Sequence, residues 1–188
     1  KRHIFLPYYP DLTYIQPVAA NDITRVCHVL YAGALTKEKG WERVLETMQD
    51  TARRIPQARF YLDVITNGDC LEVPGCDNLV IRKLDYMPFL QFCRKIVEYD
   101  IFLDLRDIDA ENTRCLPIKL FYYMACGRPS IYANLSAISK GVPEISQCAR
   151  LVNNAEQAAK ALCEYVSNQE LYQSHCSNAL LLSKEKIQ

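Results

Sequence analysis

The sequence predicts an α/β fold, a doubly wound parallel sheet with helices on both faces. Short apolar runs of strand length alternate along the chain with segments whose apolar residues recur at helical spacing. Strands in such an alternation are parallel and are joined by right-handed crossovers. With 188 residues and a hydrophobic fraction of 49%, the chain can bury a core of its own.

The predicted strands are short apolar runs that end at turn-forming residues. The first, His28–Ala32, runs directly into Gly33, which indicates a buried strand followed by a tight loop. The other predicted strands, in chain order, are 59–65, 78–81, 100–105, 130–133 and, as a sixth, 149–152.

The predicted helices lie between and after these strands, and the first has the clearest pattern. Its apolar residues fall on one helical face, and Pro56 ends it. Those apolar residues are Trp41, Val44, Leu45, Met48, Ala52 and Ile55. The later helices are marked by Pro88, by Pro117 with Gly127, by a cap at Asn153 or Asn154, and by the range 168–184 for the last.

Residues 1–20 differ from the rest of the chain. Three prolines interrupt them, and tyrosines lie between the prolines. Such a stretch predicts an extended arm or linker that packs on a neighbouring surface through its aromatic rings. We therefore divide the chain into this arm, 1–20, and a Rossmann-like domain, 21–188.

Charge and hydropathy argue against two classes of protein. Lys plus Arg and Asp plus Glu both number 22, so the formal net charge is zero, whereas a general nucleic-acid binder carries a basic excess. No apolar run approaches the roughly 18 residues that a membrane span needs. Prolines also interrupt the first residues, where a signal peptide would have its apolar core. The sequence therefore predicts a cytoplasmic protein without a nucleic-acid partner.

The cysteine pattern favours free thiols over a disulfide framework. There are nine cysteines at irregular spacing, most of them inside apolar runs, and no Cys-x-x-Cys occurs. Cys70 and Cys76 flank a polar loop and leave a disulfide or half of a metal site as an alternative. The three histidines have no partner at zinc-site spacing, so we expect no metal.

In a doubly wound sheet the ligand site lies at the carboxyl ends of the strands, which predicts three functional loops: 33–40, 66–69 and 104–117. The first loop carries neither a dinucleotide fingerprint nor a Walker A motif. It places Gly33, Lys37 and Lys39 before a helix, and helix N–H groups beside an ammonium attract an anion. The alternative is that the lysines are solvated and that the glycine only permits the turn.

The loop before the helix at Pro117 is dense in polar side chains. Lys119 lies in the first turn of that helix, where a cation opposes the helix dipole, and this suggests that it holds a negatively charged ligand. The alternative is an ion pair between Lys119 and Glu111 or Asp109.

Three stretches resemble one enzyme family. Pro117–Ile131 resembles the Pro-x-Lys-x-x-Glu-Tyr-Met-Ala-x-Gly-x-Pro-Val-Ile signature of GT-B glycosyltransferases of the group 1 or family 4 type. Tyr31–Gly40 is similar to their Gly-Arg-Leu-x-x-x-Lys-Gly turn, and Asp100–Leu103 resembles the strand before their donor loop. The resemblance covers about residues 21–182 and corresponds to the C-terminal, donor-binding half of such enzymes.

The resemblance implies retaining transfer of a sugar from a nucleotide diphosphate sugar to a glycan or lipid-linked acceptor, without metal or cofactor. The missing partner would be an N-terminal acceptor domain, and any peripheral membrane contact would be made by that domain. The resemblance further implies a role in bacterial polysaccharide assembly. Lys39 would contact the diphosphate, and Lys83 and Leu84 fall where the backbone meets the base. No catalytic residue is assigned, and the expected donor-binding residues are Gly33, Lys39, Lys83, Leu84, Asn112, Thr113, Arg114, Lys119 and Tyr122.

The sequence departs from the family pattern at three positions. Ala34 replaces an arginine, and Arg114 and Tyr122 replace two glutamates. A tyrosine supplies one oxygen where the glutamate accepts the ribose hydroxyls, and Arg114 is suited to a phosphate or an acidic sugar. These departures keep two alternatives open: a non-catalytic GT-B-like module that binds nucleotide or carbohydrate, and another doubly wound protein such as a sugar-nucleotide epimerase.

Overall fold

Six parallel strands form one sheet in the order β3-β2-β1-β4-β5-β6. This computed structural model describes residues 11–68 and 76–185. Helices pack on both faces of the sheet, which confirms the predicted doubly wound α/β fold. The strands are β1 (Val26–Ala32), β2 (Arg59–Thr66), β3 (Leu79–Asp85), β4 (Ile101–Asp104), β5 (Ser130–Ala133) and β6 (Ala149–Val152).

The helices cover the sheet as two layers over two apolar cores. On one face α1 packs against α5, and on the other α3 packs against α6, which also reaches the first core. The helices are α1 (Trp41–Arg54), α2 (Phe89–Ile96), α3 (Ile118–Ala125), α4 (Ser136–Gly141), α5 (Ala155–Ser167) and α6 (Gln169–Glu185), with 3₁₀ turns at Asn112–Arg114 and Ile145–Gln147.

Two elements differ from the sequence prediction. β3 continues to Asp85 instead of ending at residue 81, because it is the outer strand beside β2 and can therefore carry exposed polar residues such as Arg82 and Lys83. The six-residue helix α4 was not predicted, since it is too short to show a helical period.

Asn154, one of the two predicted caps, accepts a hydrogen bond from the backbone N–H of Gln157 at 2.9 Å.

The strand order reverses between β1 and β4, the two central strands. β1 pairs with β2 on one side and with β4 on the other, and all of these pairings are parallel. The connections that follow the two strands leave towards opposite sides, so a crevice opens at their carboxyl ends.

The described part of the arm, residues 11–20, packs onto the domain. Leu12 and Ile15 are buried in the core with α2 and α3, and the ring of Tyr14 packs edge-on against Phe89 at 6.2 Å. The fully buried Arg128 guanidinium donates hydrogen bonds to the carbonyls of Val18 and Ala19, at 3.1 and 2.9 Å. The boundary at residue 20 stays a prediction, and residues 1–10 lie outside the described range.

The cysteines in the described ranges are all free thiols, as predicted, and Cys27, Cys93, Cys126, Cys148 and Cys176 are buried. Cys76 is among the free thiols, and Cys70, its predicted alternative partner, lies outside the described residues. Within residues 11–68 and 76–185, no helix has both the length and the apolar character that crossing a membrane requires.

A buried histidine makes the fold sensitive to acid. His175 on α6 is 6% exposed, and its Nδ1 shares a 2.9 Å hydrogen bond with the hydroxyl of Tyr165 on α5. Burial, with a smaller contribution from Arg150, lowers the pKa of His175 to about 4. In the unfolded chain a histidine has a pKa of about 6.5. At a pH between the folded and the unfolded pKa, the unfolded chain therefore binds a proton at this residue and the folded chain does not.

We expect the free energy of unfolding to fall by about 2 kcal/mol between pH 7 and pH 5 through His175 alone. This contribution is fully present above pH ~6.5 and is lost as the pH falls towards the folded pKa. Chemical denaturation at both pH values, on the protein and on His175→Gln, measures it. The variant should lose most of the difference, and an unchanged difference in His175→Gln would contradict the assignment.

Candidate functional site

The carboxyl ends of β1 and β4 are joined by close packing of the loops that follow them. Gly40, which directly precedes α1, has a φ of 81°, in the left-handed region. A Cβ atom at this position would lie 2.0 Å from the carbonyl oxygen of Leu105, so only glycine permits the contact. Asp107 N–H donates to the Glu38 carbonyl at 2.9 Å, which adds a hydrogen bond between the same two loops.

A cavity of about 200 Å³ lies at the carboxyl ends of β1 and β4, where the strand order reverses. We call it the cationic cavity, and its lining residues are Tyr31, Ala32, Gly33, Ala34, Lys39, Asp104, Arg106 and Lys119. Three of these carry positive charges and one carries a negative charge. Because the side chains come from the ends of two central strands and from the first turn of α3, the fold itself gathers the charges.

Lys119 is a partly buried cation in the lining of this cavity. Its ammonium donates a hydrogen bond to the carbonyl of Ala32 at the end of β1. Burial lowers the pKa of Lys119; Asp104 opposes this effect, and Arg106 and Lys39 add to it. An anionic ligand would relieve both the desolvation and the repulsion between the cations.

Asp104 and Arg106 form an ion pair that orients the guanidinium in the cavity. Arg106 Nε and Nη2 donate to the two carboxylate oxygens at 2.8 and 2.5 Å, and both side chains are more than four-fifths buried. Such a bidentate pair fixes the plane of the guanidinium. Asp104 therefore neutralises one cation, and Lys39 and Lys119 leave the cavity with an excess of positive charge.

Tyr31 supports the first loop from below. Its hydroxyl donates to the Ala34 carbonyl at 2.6 Å and lies 3.2 Å from the Lys39 carbonyl. Burial, followed by the charge of Asp104, raises the pKa of the Tyr31 phenol, so it remains a protonated donor. Gly33 leaves room for this ring, because a Cβ there would lie 2.9 Å from the hydroxyl oxygen.

An apolar cleft of about 330 Å³ adjoins the cationic cavity and extends towards β3. Its lining is mostly apolar and aromatic, with Thr66 and Asn67 as polar members at the end of β2, and the described residues contribute no carboxylate to it. We call it the apolar cleft, and it is lined by Ala32, Gly33, Ala34, Ile65, Thr66, Asn67, Tyr86, Met87, Phe89, Phe92 and Lys119. Lys119 and the turn at 32–34 belong to both openings, which therefore form one continuous site.

The structure brings together three of the residues that the sequence singled out. Gly33, Lys39 and Lys119 line the cationic cavity, although they come from two segments about 80 residues apart. The alternative pairing of Lys119 with Glu111 or Asp109 does not occur. Asp109 instead accepts hydrogen bonds from Asn112 N–H and Glu111 N–H, at 2.7 and 2.9 Å.

The other predicted residues are not among those that line these two openings. Lys83 is exposed on β3, and Leu84 packs against the core; the residues that reach the apolar cleft from this strand are Tyr86 and Met87. Tyr122 packs its ring against Phe89 and Phe92, at 5.6 and 6.3 Å.

The turn 112–114 also lies apart from the two openings. Asn112 is buried against Asp109 through its side-chain amide, at 2.9 Å, and Arg114 is exposed. Thr113 donates to the Asp109 carbonyl at 2.6 Å and accepts from Ser136 through its own carbonyl at 3.0 Å. A role in donor binding stays a prediction for all of these residues.

Sequence reasoning did not assign Tyr31, Asp104, Arg106 or Tyr86 to the site. Asp104 and Arg106 begin the polar segment that the sequence marked as a functional loop, and that density of charge was the available signal. Tyr86, 74% exposed at the mouth of the apolar cleft, had the signal of a large aromatic residue directly after a strand.

The described residues contain no group of three or more His, Cys, Asp or Glu side chains that could hold a metal ion. The independence of metal and cofactor stays a prediction. The chemistry that the arrangement does offer is recognition of an anion by Lys39, Lys119 and Arg106, beside an apolar surface for a flat ring.

Comparison with known proteins identifies the fold. No protein-family model and no curated protein matches the chain. The C-terminal domain of LpcC, a glycosyl transferase group 1 family protein from Francisella tularensis, matches with a TM-score of 0.68 at 15% identity, covering 95% of this chain and 100% of that domain.

Two longer proteins match with part of their length. A mutant of S. aureus TarM in complex with fondaparinux, alpha-GlcNAc-glycerol and UDP has a TM-score of 0.67 at 10% identity, over 96% of this chain and 36% of that one. The pneumococcal O-GlcNAc transferase GtfA, in complex with UDP and GlcNAc, has a TM-score of 0.60 at 12% identity, over 91% and 35%. The chain thus spans about a third of these proteins, and it shares the fold of the C-terminal domains of GT-B group 1 glycosyltransferases.

Proposed function

We propose that this chain is the donor-binding half of a retaining glycosyltransferase and that it binds a nucleotide diphosphate sugar. The observation that carries the proposal is the continuous site formed by the apolar cleft and the cationic cavity around Lys119. A nucleotide diphosphate sugar has a flat base at one end and, beyond the ribose, a doubly charged diphosphate. The site offers surfaces of the same two kinds in the same order.

In this proposal the diphosphate binds in the cationic cavity. The Lys39 side chain is 44% exposed and forms a long ion pair with Glu38 at 3.8 Å, so its ammonium is accessible to a phosphate oxygen. Lys119 is already desolvated, so it binds an anion without the full cost of losing its water. Arg106, oriented by Asp104, adds a guanidinium with fixed direction.

In the same proposal the base binds in the apolar cleft. Phe89, Phe92 and Tyr86 offer ring faces or edges to it, and Thr66 and Asn67 offer hydrogen-bonding groups at its polar edge. Since Tyr122 packs among Phe89 and Phe92, it supports this aromatic wall rather than reproducing a glutamate that accepts ribose hydroxyls.

Retention of configuration and transfer to a glycan or lipid-linked acceptor belong to the proposal through the GT-B fold. An acceptor domain would complete the cleft, and we expect this chain alone to bind the donor with little or no turnover. Membership of a bacterial polysaccharide pathway and a cytoplasmic location are proposed on the same resemblance.

A second candidate function is a non-catalytic module that binds nucleotide sugars. It is favoured by the charge of the site, because Asp104, which lines the cationic cavity, is committed to Arg106. A donor-binding half joined to its acceptor domain would hydrolyse or transfer the donor sugar, whereas the module would bind the donor and leave it intact.

Isothermal titration of the chain with UDP-, GDP- and ADP-sugars tests the proposal. We expect saturable heat with one nucleotide class and weak or no heat with the others. The absence of binding to all three classes at millimolar ligand would contradict donor binding by this domain.

A further inference from the structure

An opening of about 640 Å³ lies between the arm and α2, outside the site described above. It shares no described lining residue with the cationic cavity or the apolar cleft, so it is a separate surface. We call it the arm groove, and its lining includes Tyr14, Pro17 and Val18 from the arm and Leu90, Arg94 and Val97 from α2 and its C-terminal end.

The arm forms one wall of this groove and is held in place at both ends. Leu12 and Ile15 are buried in the core, and the Ile15 N–H donates to the Leu12 carbonyl at 3.0 Å. Further along, the Arg128 guanidinium holds the carbonyls of Val18 and Ala19. The groove is therefore bounded by main chain that is fixed before a ligand arrives, as in most small-molecule sites.

The walls of the arm groove expose large apolar side chains to water. Tyr14 and Val18 are each 52% exposed, and Leu90 on the opposite wall is 48% exposed. They remain outside because Leu12 and Ile15 occupy the places that the core offers to the arm. A contiguous group of exposed apolar side chains marks a surface that another molecule covers, since burying it is favourable in proportion to the area removed from water.

One cation in the lining is unpaired. Arg94 is exposed in the last turn of α2, and among the described residues its guanidinium has no ion pair or hydrogen bond. Glu98, four residues further along, pairs with Lys95 at 2.5 Å, and Asp11 on the arm accepts hydrogen bonds from Thr13 at 3.0 and 2.7 Å. Because the described residues contribute no carboxylate to the lining, the guanidinium of Arg94 is accessible to an anion.

These features together select the chemistry of a ligand. Besides Arg94, the described lining offers the polar side chains of Thr13 and Gln16 and the hydroxyl of Tyr14. These groups are too few to pair the backbone N–H and C=O groups of an extended peptide, whereas a hydrocarbon chain has no such groups to satisfy.

We propose that the arm groove binds a lipid with a single hydrocarbon chain and an anionic head group. The chain lies along the apolar walls, and the head group contacts Arg94 at the end of α2. The proposal does not depend on binding of a donor, because the arm groove and the donor site have no lining residue in common among those described.

Alkyl phosphates, titrated into the full chain below their micelle concentrations, test this assignment. Decyl phosphate should bind saturably with a single site per chain. Decyl glucoside has the same chain and a neutral head group, and it should bind about 10-fold more weakly because the charge-assisted contact is lost. From octyl to decyl phosphate the affinity should rise about 4-fold, since a groove open to water buries about half of each added methylene.

Two variants locate the lipid, and each has a matched control. Leu90→Asn should weaken binding of decyl phosphate by about 5-fold, whereas Leu181→Asn, at an exposed leucine on α6 outside the groove, should retain it. Arg94→Gln should reduce the affinity for decyl phosphate to that for decyl glucoside. Arg53→Gln, at an exposed arginine on α1, should keep the difference between the two.

Because an alkyl phosphate also matches the cationic cavity, Lys119→Met is the discriminating variant. An affinity that falls in Lys119→Met and survives both Leu90→Asn and Arg94→Gln places the lipid in the cationic cavity and overturns the proposal. Equal affinity for the phosphate and the glucoside overturns it as well. So does the absence of saturable binding, which is the result expected if another part of the chain or a second copy covers the groove. The last two results leave donor binding untouched.

Discussion

Replacing Lys119 with methionine should weaken binding of the nucleotide-sugar donor by about 30-fold or more, because a hydrogen bond to a charged group contributes about 2 kcal/mol. Lys119 borders both the apolar cleft and the cationic cavity, and its ammonium is already buried. Methionine has a similar length and fills the same space without charge. The measurement is isothermal titration with the donor class that the unmodified chain accepts.

The stability of the same variant distinguishes a binding role from a structural one. Lys119→Met removes a desolvated cation that makes a single described hydrogen bond, to Ala32, so the thermal midpoint should stay the same or rise. Lys140→Met, on the exposed surface of α4, is the matched control and should retain full donor affinity. Unchanged affinity in Lys119→Met would exclude the cationic cavity as the diphosphate site.

Gly40→Ala should destabilise the fold by about 3–5 kcal/mol, an effect in the range of the most damaging single substitutions. The left-handed backbone costs about 1–2 kcal/mol for a residue with a Cβ. The larger contribution comes from the clash with the Leu105 carbonyl at 2.0 Å, since the atoms met are main-chain atoms and not the end of a flexible side chain. Chemical denaturation of the purified variant gives the number.

Gly68→Ala is the control for this substitution. Its Cβ would meet a terminal carbon of Leu35 at 3.3 Å, a flexible side chain, so we expect a change below about 1 kcal/mol. Gly40→Ala should also weaken donor binding in whatever fraction folds, because Lys39 and Arg106 lie on the two loops that the clash separates. A Gly40→Ala protein with the stability of the unmodified chain would show that these loops are not held against each other.

Sequence reasoning reached the fold because the alternation of apolar runs and helical segments is a local property of the chain. It also anticipated that Lys39 and Lys119 meet, since the carboxyl ends of neighbouring parallel strands share one edge. The distant resemblance to the group 1 glycosyltransferases agrees with the same fold. The end of β3 was harder to predict from the sequence, because an edge strand tolerates the polar residues that otherwise indicate where a strand ends.

The charge arrangement in the site could not be predicted in the same way. Asp104 and Arg106 are two residues apart, and whether they pair depends on the path of the loop after β4. That path is set by Gly40, about 65 residues earlier, through a main-chain contact that leaves no periodic signal. Glu111 and Asp109, the alternative partners considered for Lys119, are the nearest carboxylates in sequence, whereas Asp109 accepts hydrogen bonds from the backbone of its own turn.

The hydrogen bonds from Arg128 to the carbonyls of Val18 and Ala19 determine where this protein can be shortened. A version that starts at residue 21 would leave the Arg128 guanidinium without two of its carbonyl acceptors. It would also expose the apolar core surface that Leu12 and Ile15 cover. Such a cut would damage the interior rather than trim a tail, and crystallisation or expression work should keep the chain from Asp11 onward.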